Sequence, residues 1–449
     1  MLSIDCYIPK RLCALSRYTL GVLESKLGIS IRIISDDRED YKFEYSDRTF
    51  ELPAHFVNNE WAIFLERRSQ FEYSLKKYSL LGDFFYGIHR ENENPVKKTQ
   101  YEIDIIGTIF VLLSRYEKQV LDEGCSDQFY RIQPEHTINF EALDRPIVDE
   151  LVLLFEMLVE KELEIKIDKP KTEFNILPSH DVDRPFEYLY YTKKHLLKRL
   201  GGDLLVRKSL RKALKRTKLY STVKRGNVEA DPYNTFDWII NQSDKHKRTS
   251  TFHFIAGKTN ISYDQDYELA DPAIKELILS IHRRGHKVGL HPSFEASQIE
   301  GQVKIEFDTL KRFCSSIGML QDDFKSRYHY LRWNKSSVNE LEKAGVQVDQ
   351  TLTFAKKVGF RCGTCHPYNA FNFNSMQVSE LIIEPLIVME QTLFSNSYMG
   401  LRNNMGEAWN IVSSLKGECR KHKGNFILLW HNNELIDQDM KEFYVQCIK

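Results

Sequence analysis

The chain has 449 residues, enough for two or three domains, and 42% of them are hydrophobic, ample for buried cores. Lys+Arg and Asp+Glu are each 63, which excludes bulk charge attraction to nucleic acid or an anionic membrane as the organising feature, so partners must be read from local sites. Eight scattered cysteines form no dense framework and fit a reducing compartment.

The first 27 residues carry Lys10, Arg11 and Arg17 among their apolar positions, unlike a signal peptide. The longest apolar stretch, Ile103 to Leu113, contains Asp104, Gly107 and Thr108 and is too short to span a bilayer. The expected location is cytoplasmic. Leu12, Leu15, Leu20, Leu23 and Leu27 recur at helical spacing, Gly28 can cap that helix, and Ile29, Ile31 and Ile33 alternate as in a strand. Ile103, Ile106, Phe110 and Leu113 mark a second helix; Pro146, Ile147, Leu151, Leu154 and Leu158 mark a third. Residues 1–172 therefore predict a smaller α+β domain, with no cluster of metal or nucleophile spacing and an unassigned structural or recognition role.

At Asn175-Ile-Leu-Pro-Ser-His-Asp-Val-Asp-Arg184 an apolar run ends in two carboxylates spaced i, i+2, which an extended backbone points to the same side. Two like charges so close call for a cation or a shared proton, unless they are a solvated turn pair. Between Lys193 and Arg225 thirteen Lys or Arg residues face a single acid, Asp203. This insertion, about 193–228, is either a patch for anionic phosphate, on a membrane surface, a lipid-linked substrate or a nucleic acid, or a solvated helical excursion. No RNA- or DNA-binding motif accompanies it.

From Asp231 onward helix, glycine and short strand repeat. The strands are Thr251 to Ile255, Lys287 to His291, Ser326 to Tyr330, Val346 to Asp349 and Asn425 to His431. This alternation predicts parallel βα units over 173–449, whose chemistry gathers at the carboxyl ends of the strands. Asp181, Asp183, His291, Arg327, Asp349 and His431 all fall at or near such ends.

The series Asp181-Val-Asp183, Thr251-Phe-His-Phe, Gly285-His-Lys-Val-Gly-Leu-His291, Arg327-Tyr-His-Tyr330 and Leu428-Leu-Trp-His431 resembles, in order, the motifs of the NodB-type polysaccharide deacetylases, carbohydrate esterase family 4. The N-terminal region, with Leu290-His-Pro-Ser, Tyr328-His-Tyr-Leu-Arg332 and Gly359-Phe-Arg-Cys-Gly-Thr-Cys-His-Pro367, also resembles a bacterial subgroup found with surface-polysaccharide biosynthesis genes. The resemblance implies a distorted parallel (β/α) barrel with Asp181 as general base, Asp183 and His291 as metal ligands, Arg327 orienting the base, Tyr330 at the oxyanion position and His431 as general acid. It implies a metal-dependent hydrolase removing acetyl groups from N-acetylated, or alternatively O-acetylated, sugars of a polysaccharide or its precursor; the balanced charge and the lack of a binding motif separately leave nucleic acid out of the expected partners.

One position departs from the family. The usual second histidine, four residues after the first, is Glu295 here. Asp183, His291 and Glu295 would form an open three-ligand site suited to Zn²⁺, the oxygen ligands also admitting Mn²⁺, Fe²⁺, Co²⁺ or Ni²⁺. Otherwise Glu295 is a loop carboxylate and His180, His253 or His329 takes its place. Trp333 and Trp430 flank the expected site, either to stack on a sugar ring or as barrel packing. Cys362 and Cys365 have redox spacing without the thioredoxin-like order of elements and read as free thiols. A barrel that has lost catalysis and binds glycan or scaffolds a biosynthetic complex is the alternative to the enzyme.

Overall fold

The computed structural model describes residues 2–54, 73–90, 99–121 and 123–449. Near the amino terminus β1 (Ser3–Pro9), α1 (Cys13–Leu27), β2 (Ser30–Asp36), β3 (Tyr41–Tyr45) and β4 (Arg48–Leu52) build a sheet of order β2-β1-β3-β4. The pair β1–β2 is parallel across α1, whose Leu15, Leu20, Leu23 and Leu27 are buried, and the other two pairs are antiparallel. A hairpin follows, β5 (Tyr73–Leu80) with β6 (Asp83–Arg90). Every residue of α2 (Ile105–Ser114) is buried, as expected of a helix apolar all round, and Asp104 caps it by accepting from Gly107 N at 2.7 Å. The helix α3 (Ile147–Leu163) buries Ile147, Leu151, Leu154 and Leu158.

The rest of the chain winds around one large sheet. In order come β7 (Asn175–Val182), α4 (Lys193–Gly201), α5 (Leu210–Lys224), α6 (Phe236–Lys245), β8 (Thr251–Phe254), α7 (Pro272–Arg283), β9 (Lys287–Leu290), α8 (Gln302–Ser316), β10 (Lys325–Ser326), α9 (Ser337–Ala344), β11 (Val348–Asp349), β12 (Tyr368–Asn372), β13 (Gln377–Ile383), β14 (Val388–Met389), α10 (Met405–Lys421), β15 (Asn425–Leu429) and α11 (Gln438–Ile448). Parallel pairings run β13-β11-β10-β9-β8-β7-β15-β14, and β12 is an antiparallel edge on β13. Pro178 interrupts no ladder, because pairing with β8 begins only at Ser179.

One stretch closes the ring. After β13 has paired with β11, Glu384 N donates to Asp349 O (2.9 Å) and Leu386 N to Leu352 O (3.2 Å). Ile387 N then donates to Ile427 O (3.0 Å), and β14 pairs with β15. The same backbone touches both ends of the sheet, giving the expected parallel barrel, distorted because its strands are as short as two residues. No helix among the described residues is long and apolar enough to cross a membrane.

The segment 359–372 binds the barrel to the N-terminal region. The Asp149 carboxylate of α3 accepts from Thr364 Oγ1 (2.6 Å) and Cys365 N (2.9 Å), and Tyr18 OH donates to Asn369 O (2.8 Å). Cys362 and Cys365 are free and buried in this seam, and the neighbouring Cys419, with burial and Asp149, raises the Cys365 thiol. Phe360 N donates to Leu143 O at 2.7 Å, which brings Gly359 (φ +134°) so close that an added Cβ would lie 2.2 Å from the Leu143 carbonyl oxygen. Gly359→Ala should therefore lower unfolding stability by more than about 2 kcal/mol in chemical denaturation. Gly201→Ala, in an open helical position, should be neutral or gain about 0.5–1 kcal/mol.

Candidate active site

Three imidazoles converge on Asp183, which lies just beyond β7. His291 Nε2 is 3.2 Å from its Oδ1; His329 Nε2 and His431 Nε2 are 3.6 and 3.5 Å from its Oδ2. Behind each ring an acceptor faces Nδ1: the Arg327 carbonyl for His291, Asp264 Oδ1 at 3.4 Å for His329, and Glu390 Oε1 at 2.5 Å for His431. An acceptor there keeps the hydrogen on Nδ1 and turns the Nε2 lone pair of a neutral ring towards Asp183. Lone pairs facing a carboxylate call for a cation, and Asp183 Oδ1 is buried without a hydrogen-bond donor. Oxygen of Asp183 and nitrogens of His291 and His329 lie within 4.8 Å of one another, a donor set that fits a divalent ion.

Asp183, close to these rings, is held well below the usual carboxylate range: burial opposes ionisation, but His329, then His291 and His431, outweigh it. Conversely burial would depress His329, and Asp183 with Asp264 lifts it to about 9. His431 is held well above its ordinary value, burial being overcome by Glu390 and Asp183. These protons stand in for positive charge that a cation would supply.

Asp181 forms a second unit beside the first. It is buried, accepts from Arg327 Nη1 at 2.9 Å, and has His253 Nδ1 at 3.4 Å and His291 Nε2 at 3.7 Å. Burial disfavours its charge, but Arg327 and the two histidines overrule that and keep it ionised. The guanidinium is itself fully buried and fixed by Gln350 O (3.0 Å) and Ser179 Oγ (2.8 Å), so it has one orientation. His253 is driven down to about 3, first by burial and then by Arg327, and is neutral.

The expected residues divide accordingly. Asp181, Asp183, His291, Arg327 and His431 are brought together, and Tyr330 lines the same cleft of about 590 Å³. Tyr330 and Leu331 both have positive φ (58° and 57°), a strained turn that fixes the direction of His329 and Tyr330.

Glu295 is not in the group. Pro292 ends the strand after His291 and the backbone enters tight turns, Ala296 N to Ser293 O and Gln298 N to Glu295 O, so positions 291 and 295 do not stack as on a helix. Glu295 instead accepts from Asn260 Nδ2 at 2.9 Å, and His329, one of the substitutes considered, stands with Asp183 and His291.

Asp349 is buried beneath the strand ends, accepting from Ser326 Oγ (2.6 Å) and from Thr351 Oγ1 and N (2.8 and 2.9 Å), and does not line the cleft. Trp333 is buried edge-on to Tyr328, and Trp430 lies wholly buried among Phe394, Phe443 and Tyr444. Neither indole offers a face to a sugar; packing accounts for both.

Sequence reasoning passed over three contributors. Glu390 follows the two-residue β14, too short to show a pattern, although Val388-Met389-Glu390 repeats the signal of an apolar pair ending in a carboxylate. Asp264 lies in a loop and also accepts from Thr259 N, Asn260 N and Phe294 N. Arg131, from the N-terminal region, reaches the cleft, held by Asp127 Oδ2 and Tyr398 OH at 2.8 and 3.2 Å. Nearby, Tyr263 stacks on Phe294 at 4.2 Å and Phe129 meets Tyr330 at 4.8 Å, giving the cleft an aromatic side.

Residues 4–164 match a family described only as a family of unknown function, DUF7033. No curated protein matches the chain. Among solved structures it is similar to a putative polysaccharide deacetylase from Mycobacterium smegmatis, with a TM-score of 0.40, 14% identity and coverage of 63% of this chain and 85% of that one. A probable polysaccharide deacetylase from Pseudomonas aeruginosa PAO1 gives a TM-score of 0.36 at 10% identity, covering 63% and 88%. Puue allantoinase gives 0.34 at 9%, covering 63% and 87%.

Two measurements check the site. Asp183→Ala, His291→Ala and His329→Ala should each weaken Zn²⁺ binding about a hundredfold or more by calorimetric titration, and Glu295→Ala should leave it unchanged. Burial, partly offset by Ser326 and Thr351, raises Asp349 from 3.8 to about 6, so the folded state holds its proton over a range where the unfolded chain has lost it. Stability should therefore fall as pH rises from about 4 to 6, by roughly 3 kcal/mol for this group, and Asp349→Asn should flatten that slope in denaturation curves taken across the range.

Proposed function

We propose that the chain is a metal-dependent hydrolase that removes acetyl groups from N-acetylated sugars of a polysaccharide or its precursor, acting in the cytoplasm. The observation that carries this reading is the pairing of a cation-demanding cluster, Asp183 with His291 and His329, with an ionised Asp181 on one side and a carboxylate-backed His431 on the other. The motif order resembling the NodB-type deacetylases supports it independently.

A divalent ion held by Asp183, His291 and His329 would supply a Lewis acid and lower the pKa of bound water. Asp181 accepts the proton of the attacking water, and Arg327 both aims this carboxylate and keeps it ionised. His431 gives the proton at Nε2 to the departing amine nitrogen as the C–N bond breaks, while Glu390 holds Nδ1–H and so directs Nε2 into the cleft. Tyr330 and the neighbouring aromatic rings form the wall against which a sugar ring lies, the task first expected of Trp333 and Trp430. The roles of acid and base favour amides, since an amine leaves poorly unless protonated.

The test is acetate release from N-acetylated sugar oligomers by the Zn²⁺-loaded protein. Asp181→Asn and His431→Ala should each lower kcat by about 10²–10⁴ with metal content retained, and Glu390→Gln, which leaves His431 in place but weakens its anchor, should cost about tenfold or more. On an O-acetylated substrate His431→Ala should lose much less. Failure of the metal-loaded wild type to release acetate from any of a panel of N-acetyl sugars removes the proposal.

A further inference from the structure

Next to the site stands a helical hairpin, α4 and α5 joined by a π-helical turn, Gly202–Val206. Its one acid, Asp203, is buried and neutralised by Arg207 Nη1 (2.9 Å) and Arg216 Nε (2.7 Å). Among the described residues only these two of its thirteen cations enter ion pairs; the others face solvent without a counter-charge.

A solvated excursion would be polar outside, and this one is not. Leu197, Leu210 and Leu214 are 68%, 65% and 63% exposed, and Leu205 and Val206, at the turn, 80% each. No residue of α4 is buried, and α5 buries only Ala213 and Val223. Leu210 and Leu214 are one helical turn apart on the same face. Scattered exposed aliphatics are ordinary, but these five on one hairpin beside its cations form a combined apolar and basic surface.

The mixture selects the occupant. Nucleic acid would use the cations and leave the leucines in water, and the core of a protein interface is depleted in lysine. An anionic bilayer uses both: cations meet the headgroups and aliphatic side chains enter the acyl boundary. We infer that the α4–α5 hairpin docks on an anionic phospholipid surface.

Docking there places the active-site mouth at the membrane. His195, Lys198 and Arg199 of α4, with Arg207, line a cleft of about 490 Å³ that reaches Asp183 and Arg184. Asp183, Arg184, His195 and Asp266 also line the cleft over the histidines, so the two are continuous. Resting on the deacetylase reading above, the substrate is then a sugar carried on a lipid anchor, its anionic linkage passing the basic wall of α4.

The experiment is sedimentation of the full-length protein with vesicles, at about 0.15 M salt. Vesicles of equal parts phosphatidylcholine and phosphatidylglycerol should bind at least about tenfold more protein than phosphatidylcholine alone, since each cation near an anionic surface adds roughly a factor of five. Leu205→Glu/Val206→Glu should lose that binding about tenfold or more, and Lys208→Glu/Lys212→Glu should lose the preference for anionic lipid. Both variants should keep wild-type acetate release from a soluble N-acetylated oligomer. The inference is overturned by a wild type that does not bind anionic vesicles, by binding indifferent to Leu205 and Val206, or by a self-association through this face that the glutamates abolish without any vesicle binding. Vesicle binding with no acetate release from any substrate would instead leave the docking intact and sink the deacetylase reading.

Discussion

The site depends on a buried ion pair. Asp181 and Arg327 are withdrawn from water, and such a pair is tolerated only where geometry and further hydrogen bonds replace the lost hydration. Arg327 meets that condition by reaching Ser179 on β7 and the Gln350 carbonyl beyond β11 from its own place after β10. One side chain thereby fixes three strand ends relative to one another. Its backbone carbonyl then receives Nδ1 of His291, so the residue that secures Asp181 also sets the tautomer of His291.

What was legible in the sequence follows from where information is local. Asp181 and Asp183 are two residues apart on one strand, so their common direction needs no tertiary knowledge, and the carboxyl ends of parallel strands gather His291, Arg327 and His431 by topology alone. Glu295 misled because its position is carried over from the family's second histidine, and the turns after Pro292 take its carboxylate to Asn260 instead. His329 takes its direction from two successive left-handed residues, Tyr330 and Leu331, that no propensity favours. Trp333 and Trp430 are next to the site along the chain, yet each points away from the cleft into packing. The closing strands β12 to β14 escaped notice because they are short or carry polar residues on an edge.

The N-terminal region contributes more than its lack of catalytic motifs suggests. It holds the barrel segment 359–372 through Asp149 and Tyr18, and it extends Arg131 and Phe129 to the rim beside Tyr330. Both tasks require the two parts of the chain to keep a fixed relation, which the buried seam around Cys365 enforces.

The stretch that closes the barrel ends one peptide bond before Glu390. Closure and the anchoring of His431 are therefore the same piece of covalent chain, while Asp183, His291 and His329 follow β7, β9 and β10. Fraying of the β14–β15 seam would carry Glu390 off and release His431 while Asp183, His291 and His329 kept their places. The seam is in this a fuse: opening at one two-residue strand would slacken His431 and leave the Asp183, His291 and His329 cluster assembled.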